Sequence, residues 1–138
     1  MSRKEILQAW LKEKEWDDEI KENDAYTYIC TNVQLENGKI IEVYVELAKK
    51  SNFVFVYMYL EGAVLLEKKW DESYEIFHEI NKTMSMGRIG ITDSGRFQYK
   101  IGIDPGKEEI ETCLIEGMYN AGAFWMEEHS DDLIKLTL

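Results

Sequence analysis

Residues 71–103 have the sequence DESYEIFHEINKTMSMGRIGITDSGRFQYKIGI, and this stretch decides the fold. Its first part places Tyr74, Phe77, Ile80 and Met84 at intervals of three or four residues, which is the spacing of one face of an α-helix. Asp71 precedes this stripe, where its carboxylate would cap the unpaired amides of the first turn. The segment therefore predicts an amphipathic helix that begins near residue 71 and buries one stripe.

A β-hairpin is predicted directly after this helix. Ile89 and Ile91 alternate with smaller or polar residues, and an Asp-Ser-Gly segment at 93–95 supplies the turn. In the second strand, apolar and polar side chains alternate: Phe97, Tyr99, Ile101 and Ile103 against Arg96, Gln98 and Lys100. The hairpin thus has one dry and one wet face. Arg88 and Arg96 flank the wet face, and we weigh a solvated sheet edge above a clamp for an acidic ligand.

A last helix is predicted after the Asp-Pro-Gly segment at 104–106. Apolar side chains recur at helical spacing from Ile110 to Trp125. Gly117 and Gly122 each weaken this helix by about 1 kcal/mol relative to alanine. We therefore expect both glycines to allow close packing of the helix backbone on the sheet.

The N-terminal half predicts one helix and three strands. Ser2 and Glu5 form a capping-box pattern before an amphipathic helix, and the acidic segment 13–24 is predicted to be a solvated helix end and loop. Three strand candidates follow between residues 25 and 60, the first two joined by an Asn-Gly pair at 37–38. The second strand alternates regularly, which predicts an exposed polar face with Glu42, Tyr44 and Glu46. A Glu-Gly pair at 61–62 is predicted to be a turn.

The third strand candidate is apolar on both faces. Its aromatic residues share one parity, and valine, methionine and leucine occupy the other. The aromatic set is Phe53, Phe55, Tyr57 and Tyr59. Such a strand is either covered on both sides of a sheet, or its aromatic ladder forms a contact surface for a peptide or a second subunit. We favour the covered strand, because aromatic ladders at this spacing usually pack.

The composition is that of a folded, acidic protein. A length of 138 residues suits one domain with a real core, and a hydrophobic fraction of 45% argues against disorder. The formal net charge of -11 argues against a nucleic-acid partner and against docking on anionic membranes, because both would be repelled. Acidity of this degree most often serves solubility, and its functional alternative is attraction of a basic partner segment.

The sequence predicts a cytoplasmic, reduced protein. No apolar run approaches the roughly 18 to 20 residues that span a bilayer, and the first five residues, MSRKE, lack the apolar core of a secretory signal. Cys30 falls in a predicted strand and Cys113 on a predicted helix stripe, without CxxC spacing. Both are expected to be buried, reduced thiols and not a redox pair.

No residue set in the chain matches a common catalytic motif. It has no HExxH zinc motif, no GxSxG nucleophile elbow and no glycine-rich phosphate loop that opens a helix. The densest group of candidate ligands is the segment 127–132, with Glu127, Glu128, His129, Asp131 and Asp132, but it lacks the spacing and central glycine of a calcium loop. We therefore expect no metal, no cofactor and no catalytic residue. A small metal-dependent hydrolase that uses this group stays an alternative.

Two short motifs indicate a family. Ile80 and Asn81 stand near the end of the middle helix, and the segment GRIGI at 87–91 opens the hairpin that leads to the aromatic strand at 97–103. Together with the element order α-β-β-β-α-β-β-α, they resemble the YbjN family, whose fold is similar to that of the type III secretion chaperones. The resemblance spans residues 2 to about 125.

The resemblance implies an α+β domain over residues 1–138, with helices packed on an antiparallel sheet of about five strands. It further implies a sensory or regulatory module that can form a homodimer and that binds a protein segment. No catalytic residues are implied.

These features favour a non-enzymatic, cytoplasmic protein-binding module. Its partner would be a protein or peptide segment, basic or amphipathic, that lies extended over apolar patches or adds to a sheet edge. The predicted partner-binding residues are Phe53, Phe55, Tyr57, Tyr59, Arg88 and Arg96. Besides the metal-dependent hydrolase, an acidic protein that neutralises a basic partner such as a toxin stays open as an alternative.

Overall fold

The helices and strands follow the predicted order with one added strand. The computed structural model describes residues 1–137. Its elements are α1 (Arg3–Lys14), β1 (Lys21–Glu22), β2 (Tyr26–Gln34), β3 (Ile40–Ala48), β4 (Val54–Val64), α2 (Trp70–Thr83), β5 (Arg88–Ile91), β6 (Arg96–Ile103) and α3 (Thr112–Lys135). A 3-10 turn, Glu67–Lys69, leads into α2. The α+β class and the predicted element order are therefore confirmed, apart from the short β1.

The strands form one antiparallel sheet in the order β1-β2-β3-β4-β6-β5. The turn between β2 and β3 contains Gly38 with a φ of 87°, a left-handed conformation that glycine adopts without strain. After β4 the chain crosses through α2 to the outer strand β5 and returns as β6 beside β4. About five strands were predicted. The sixth, β1, has only two residues, both exposed, within the acidic segment predicted to be a loop.

The core lies between the sheet and the three helices, which occupy one side of it. Gly122 of α3 lies directly on the sheet: a Cβ there would be 2.7 Å from Met58 Sδ and 2.8 Å from Tyr99 Cε1. Phe77 of α2 meets Phe97 of β6 with 5.9 Å between ring centres, and α1 packs against α3 and β2. The buried side chains of the central strands are Ile29, Ile41, Val43, Val45, Leu47, Val54, Val56, Met58, Leu60, Phe97, Tyr99 and Ile101.

The buried face of α2 differs from the predicted stripe. The helix begins at Trp70, so Asp71 lies inside the first turn instead of at the N-cap position, which Lys69 occupies. Ser73 is buried and donates a hydrogen bond of 2.6 Å to the Trp70 carbonyl. Because successive residues are rotated by about 100° around a helix, Tyr74 points away from the face that Ser73 defines. Tyr74 is 51% exposed, so its predicted place on the buried stripe is wrong.

β4 continues through the segment that was predicted to turn. Glu61 and Gly62 lie within the strand, and Gly62 has a φ of 77°. The pairing register of β4 with β6 shifts between Tyr59 and Val64. Between these two pairs β4 advances by five residues and β6 by two, so the Glu-Gly pair is part of an irregular, bulged segment of the strand, in which Gly62 adopts a left-handed conformation.

α3 begins later and ends later than predicted. Its first residue is Thr112, and the helix continues to Lys135, so that Leu133 joins the core as part of the same helix. Gly122 provides the close approach expected of both helix glycines. For Gly117 that expectation is wrong, because a Cβ there would have no heavy atom within 4 Å.

Both cysteines were predicted to be buried, and neither is. Both are free thiols: Cys30 is half-buried and Cys113 is exposed. The buried face of α3 instead runs through Ile115, Met118 and Gly122. Cys113 lies two residues before Ile115, which places it about 200° around the helix from the buried face. Its thiol donates a hydrogen bond of 3.2 Å to the Glu111 carboxylate.

Candidate partner-binding face

The side of the sheet opposite the helices carries an aromatic surface that no element covers within residues 1–137. We call it the open face and define it by the outward side chains of four strands and the residue before β4. They are Tyr26, Tyr28, Glu42, Tyr44, Glu46, Phe53, Phe55, Tyr57, Tyr59, Arg96, Gln98 and Lys100. All are half-buried or exposed, whereas Val54, Val56 and Met58, which alternate with them along β4, are fully buried. The prediction that β4 is covered on both sides is therefore wrong.

Three aromatic rings form a stacked ladder along β4. The ring centres of Phe53 and Phe55 are 5.5 Å apart with planes 6° from parallel, and those of Phe55 and Tyr57 are 6.0 Å apart at 17°. Tyr26 of β2 meets Phe55 edge-on at 6.1 Å. Opposite Phe55 on β6 stands Gly102, where a Cβ would be 2.8 Å from the Phe55 ring. The glycine thus lets the ring lie against the strand backbone.

A polar network surrounds Tyr59 at the other end of the ladder. The Tyr59 hydroxyl accepts a hydrogen bond of 2.7 Å from Gln98, and its ring meets Tyr44 edge-on at 5.7 Å. The Arg96 guanidinium lies 4.8 Å from the centre of the Tyr59 ring and donates a hydrogen bond of 3.2 Å to Glu42. Hydrogen bonds from the Tyr44 hydroxyl and from Arg96 lower the pKa of the Glu42 carboxyl. The charges of Glu42 and Arg96 therefore compensate each other within the open face.

The two predicted arginines do not form a clamp. Arg96 lies in the open face, paired with Glu42. Arg88 lies on the outer strand β5, where it is exposed and its guanidinium donates a hydrogen bond of 2.7 Å to the neighbouring Gly87 carbonyl. The structure therefore brings Arg96 together with Tyr59 and leaves Arg88 at the sheet edge.

Glu46 lies in a concavity of the open face with a volume of about 430 Å³. The concavity is lined by Tyr26, Tyr44, Glu46, Tyr57, Tyr59, Thr92, Ser94 and Arg96. Burial raises the pKa of the Glu46 carboxyl. Burial, together with the Glu46 charge, raises the pKa of Tyr57 to about 12. The concavity therefore combines a partly desolvated carboxylate with four phenol rings.

Sequence reasoning placed the aromatic ladder on β4 but missed what β2 and β3 add to it. Glu46 stands opposite Phe55 in the β3–β4 register and opposite Tyr28 in the β2–β3 register. The signal that could have revealed this was the regular alternation of β3, whose polar parity must share a face with one parity of β4. The length of the connection at 49–53 was needed to decide which parity of β4 shares a face with the polar residues of β3.

The acidic group at 127–132 has a structural role in the hairpin between β2 and β3. The Glu127 carboxylate accepts hydrogen bonds from the backbone N–H of Glu36 at 2.9 Å and of Asn37 at 2.8 Å. The Asn37 side chain donates to the buried Ser130 hydroxyl at 2.8 Å. Among residues 1–137, no three His, Cys, Asp or Glu side chains lie where they could share a metal ion. The geometry therefore gives no support to the metal-dependent alternative.

The helices that the structure describes include none with the length and apolar content needed to cross a membrane.

Comparison with known proteins supports the fold and gives no family. No family model matches the chain. No curated protein matches it. Among solved structures, a chain of the HopA1–SchA chaperone–effector complex is similar, with a TM-score of 0.59 and 10% sequence identity over 91% of this chain and 90% of that chain. The chain thus has the α+β, secretion chaperone-like fold that the sequence predicted, and membership of the YbjN family stays a prediction.

Proposed function

We propose that this protein is a non-enzymatic, chaperone-like or regulatory binding module that holds an extended segment of a partner protein on its open face. The observation that carries the proposal is the uncovered aromatic ladder formed by Phe53, Phe55 and Tyr57. Large rings at a stacked spacing supply apolar contact area, and rigid aromatic side chains supply it at a low cost in conformational entropy.

The position of the ladder fits an extended ligand. Phe53 is 39% exposed at one end, and the rings continue along β4 to Tyr59, with Tyr26 and Tyr44 on the neighbouring strands. A chain that lies across these strands could place alternate side chains between the rings, as an extended segment does. The similar chain of the chaperone–effector complex supports a protein ligand for this fold.

Quantitative affinity capture with paired variants tests the proposal. Purified wild type, a Phe53→Ser/Phe55→Ser variant and a Phe124→Ser control are each incubated with lysate of the source cells, and retained proteins are quantified by mass spectrometry. Phe124 is 68% exposed on α3, so the control removes an exposed phenylalanine from the opposite side of the sheet. We expect one partner to be retained by wild type and control and to fall at least tenfold with the double variant.

Hydroxyl-radical footprinting of the purified pair then locates the contact. Modification of Tyr57 and Phe53 should fall on binding while modification of Phe124 stays constant. Circular dichroism first shows that the double variant is folded. Equal retention by all three proteins, or loss only with Phe124→Ser, would place the partner elsewhere and contradict the proposal.

The remaining parts of the sequence prediction belong to the same proposal. The chain would act as one domain in the cytoplasm, in a YbjN-like role, with a basic or amphipathic segment as its partner and with a homodimer as its working state. Sedimentation velocity over a concentration range tests the homodimer: a single species with the mass of one chain at every concentration would contradict it.

A further inference from the structure

The open face holds two carboxylates on β3, and their surroundings differ. Glu42 accepts hydrogen bonds from the Tyr44 hydroxyl and from the Arg96 guanidinium. Glu46 lies four residues further on the same strand and on the same side of the sheet. Within residues 1–137 its carboxylate makes no hydrogen bond and no ion pair. A half-buried carboxylate without a partner is costly in a folded protein, because it loses hydration and gains no hydrogen bond in exchange.

The arrangement around Glu42 shows how this surface holds a guanidinium. Arg96 stacks on the Tyr59 ring at 4.8 Å from its centre while it donates to the carboxylate at 3.2 Å. Lys100 lies 5.8 Å from the centre of the Tyr57 ring, so a second cation of the chain also lies on a phenol ring of this face. Aromatic faces attract cations, and a carboxylate beside the ring adds a charge-assisted hydrogen bond.

Glu46 has the same kinds of neighbours, but no arginine of the chain bonds it, because Arg96, which lines the same concavity, is paired with Glu42. Tyr26, Tyr44 and Tyr57 line the same concavity of about 430 Å³, which is open to the solvent side of the sheet. This volume is large enough for a side chain. The rings are held by neighbouring aromatic side chains: Tyr26 and Tyr57 contact Phe55, and Tyr44 contacts Tyr59. Burial raises the pKa of Glu46, in accord with a carboxylate that lacks a compensating cation.

We propose that Glu46 and the surrounding tyrosines Tyr26, Tyr44 and Tyr57 form a pocket for an arginine side chain of the partner segment. This inference rests on the proposed function and adds the chemistry of the ligand. An arginine fits better than a lysine, because a planar guanidinium stacks on a phenol ring and bonds a carboxylate through two N–H groups. The formal net charge of -11 adds long-range attraction for such a segment.

A titration with a single arginine derivative tests the pocket without any knowledge of the partner. The full chain is labelled with 13C at glutamate carboxyls and tyrosine rings, and N-acetyl-arginine methylamide is added while NMR shifts are recorded. The neutral isostere N-acetyl-citrulline methylamide is titrated in parallel. We expect saturable shifts at Glu46, Tyr26 and Tyr57 with arginine and none with citrulline.

Two variants make the titration specific. Glu46→Gln keeps the shape of the pocket and removes the charge, and should weaken arginine binding about tenfold, as loss of a charge-assisted hydrogen bond predicts. Glu128→Gln is the matched control, since Glu128 is an exposed carboxylate on α3. It should bind arginine as the wild type does. Unchanged binding by Glu46→Gln, equal shifts with citrulline, or shifts spread evenly over exposed carboxylates would overturn the pocket.

The result is separable from that of the capture experiment. Loss of the partner with Phe53→Ser/Phe55→Ser, combined with no arginine binding at Glu46, would leave the open face as the binding surface and remove only the pocket. If arginine binds at Glu46 but Phe53→Ser/Phe55→Ser loses no partner, the pocket stays and the aromatic ladder is removed as the binding surface.

Discussion

The side-chain amide of Asn81 bonds both backbone groups of Ile89. Its Nδ2 donates to the Ile89 carbonyl at 3.0 Å, and its Oδ1 accepts from the Ile89 N–H at 2.8 Å. Ile89 belongs to β5, the outer strand of the sheet, and these two backbone groups point away from β6. Asn81 therefore takes the place of a neighbouring strand and fastens the end of α2 to the sheet edge.

Substitution of Asn81 should destabilise the protein. In Asn81→Ala the N–H and C=O of Ile89, a residue only 4% exposed, lose their partners, so the free energy of unfolding should fall by about 1–3 kcal/mol. Urea denaturation followed by circular dichroism measures the change. The neighbouring Lys82→Ala removes only an exposed ion pair with Glu79 and should change stability by less than about 0.5 kcal/mol. Equal stability of Asn81→Ala and wild type would contradict the role of Asn81.

This contact explains why two short motifs occur together in the chain. The Ile-Asn pair at 80–81 and the segment GRIGI at 87–91 were recognisable in the sequence, but their spacing of eight residues carries no periodicity that predicts a contact. A hydrogen bond from a side chain to the backbone produces no hydrophobic pattern in the sequence. The helices and strands were predictable from alternation and helical spacing, but the hydrogen bonds between Asn81 and Ile89 were not.

The hairpins were predictable where one face of a strand is apolar and the turn is distinctive. β3, with its strict alternation after an Asn-Gly pair, formed as predicted. β4 was ambiguous, because its aromatic parity satisfied either a covered or an open side. The position of the helices, which lie on the side of Val56 and Met58, decides between them. The open face is therefore a property of topology, which strand patterns alone do not specify.

The two glycines of α3 should respond to alanine in opposite ways. At Gly117 the added methyl meets nothing within 4 Å, so Gly117→Ala should raise the free energy of unfolding by about 0.5–1 kcal/mol through helix propensity. At Gly122 it would press on Met58 and Tyr99, and overpacking of about 1–3 kcal/mol should exceed the same gain. Thermal and urea denaturation of the two variants measure the difference. Stabilisation by Gly122→Ala equal to that by Gly117→Ala would show that α3 does not approach the sheet this closely.

In the acidic group at the end of α3, we expect only Glu127 to contribute measurably to stability. Glu127→Gln keeps one acceptor and places an amide N–H₂ against the N–H groups of Glu36 or Asn37, so the free energy of unfolding should fall by about 1–2 kcal/mol. Glu128→Gln changes an exposed side chain and should stay within about 0.5 kcal/mol of wild type. Denaturation with and without added divalent metal measures both. A metal-dependent stabilisation lost in Glu127→Gln and Glu128→Gln alike would instead revive the metal-binding alternative.

The two carboxylates of β3 should contribute to stability with opposite pH dependence. The pKa of Glu42 is lowered below its ordinary value of 4.5 by hydrogen bonds from Tyr44 and Arg96, so its contribution is present above pH 4.5 and lost as the pH falls through the folded-state pKa. The pKa of Glu46 is raised above 4.5 by burial, so its contribution is present below pH 4.5 and lost as the pH rises through the folded-state pKa.

Glutamine variants of the two residues test this difference in pH dependence. At pH 7, Glu42→Gln should melt below wild type and Glu46→Gln above it, and both differences should shrink towards zero as the pH falls to about 3. Melting temperatures from circular dichroism at intervals between pH 3 and 7 follow the two variants on the same strand. A gain in stability for Glu46→Gln at pH 7 would mean that the native chain retains an unfavourable charge on the open face, as a binding site for a cation requires. If both variants melt below wild type at every pH, Glu46 is already compensated within the chain and the arginine pocket loses its physical basis.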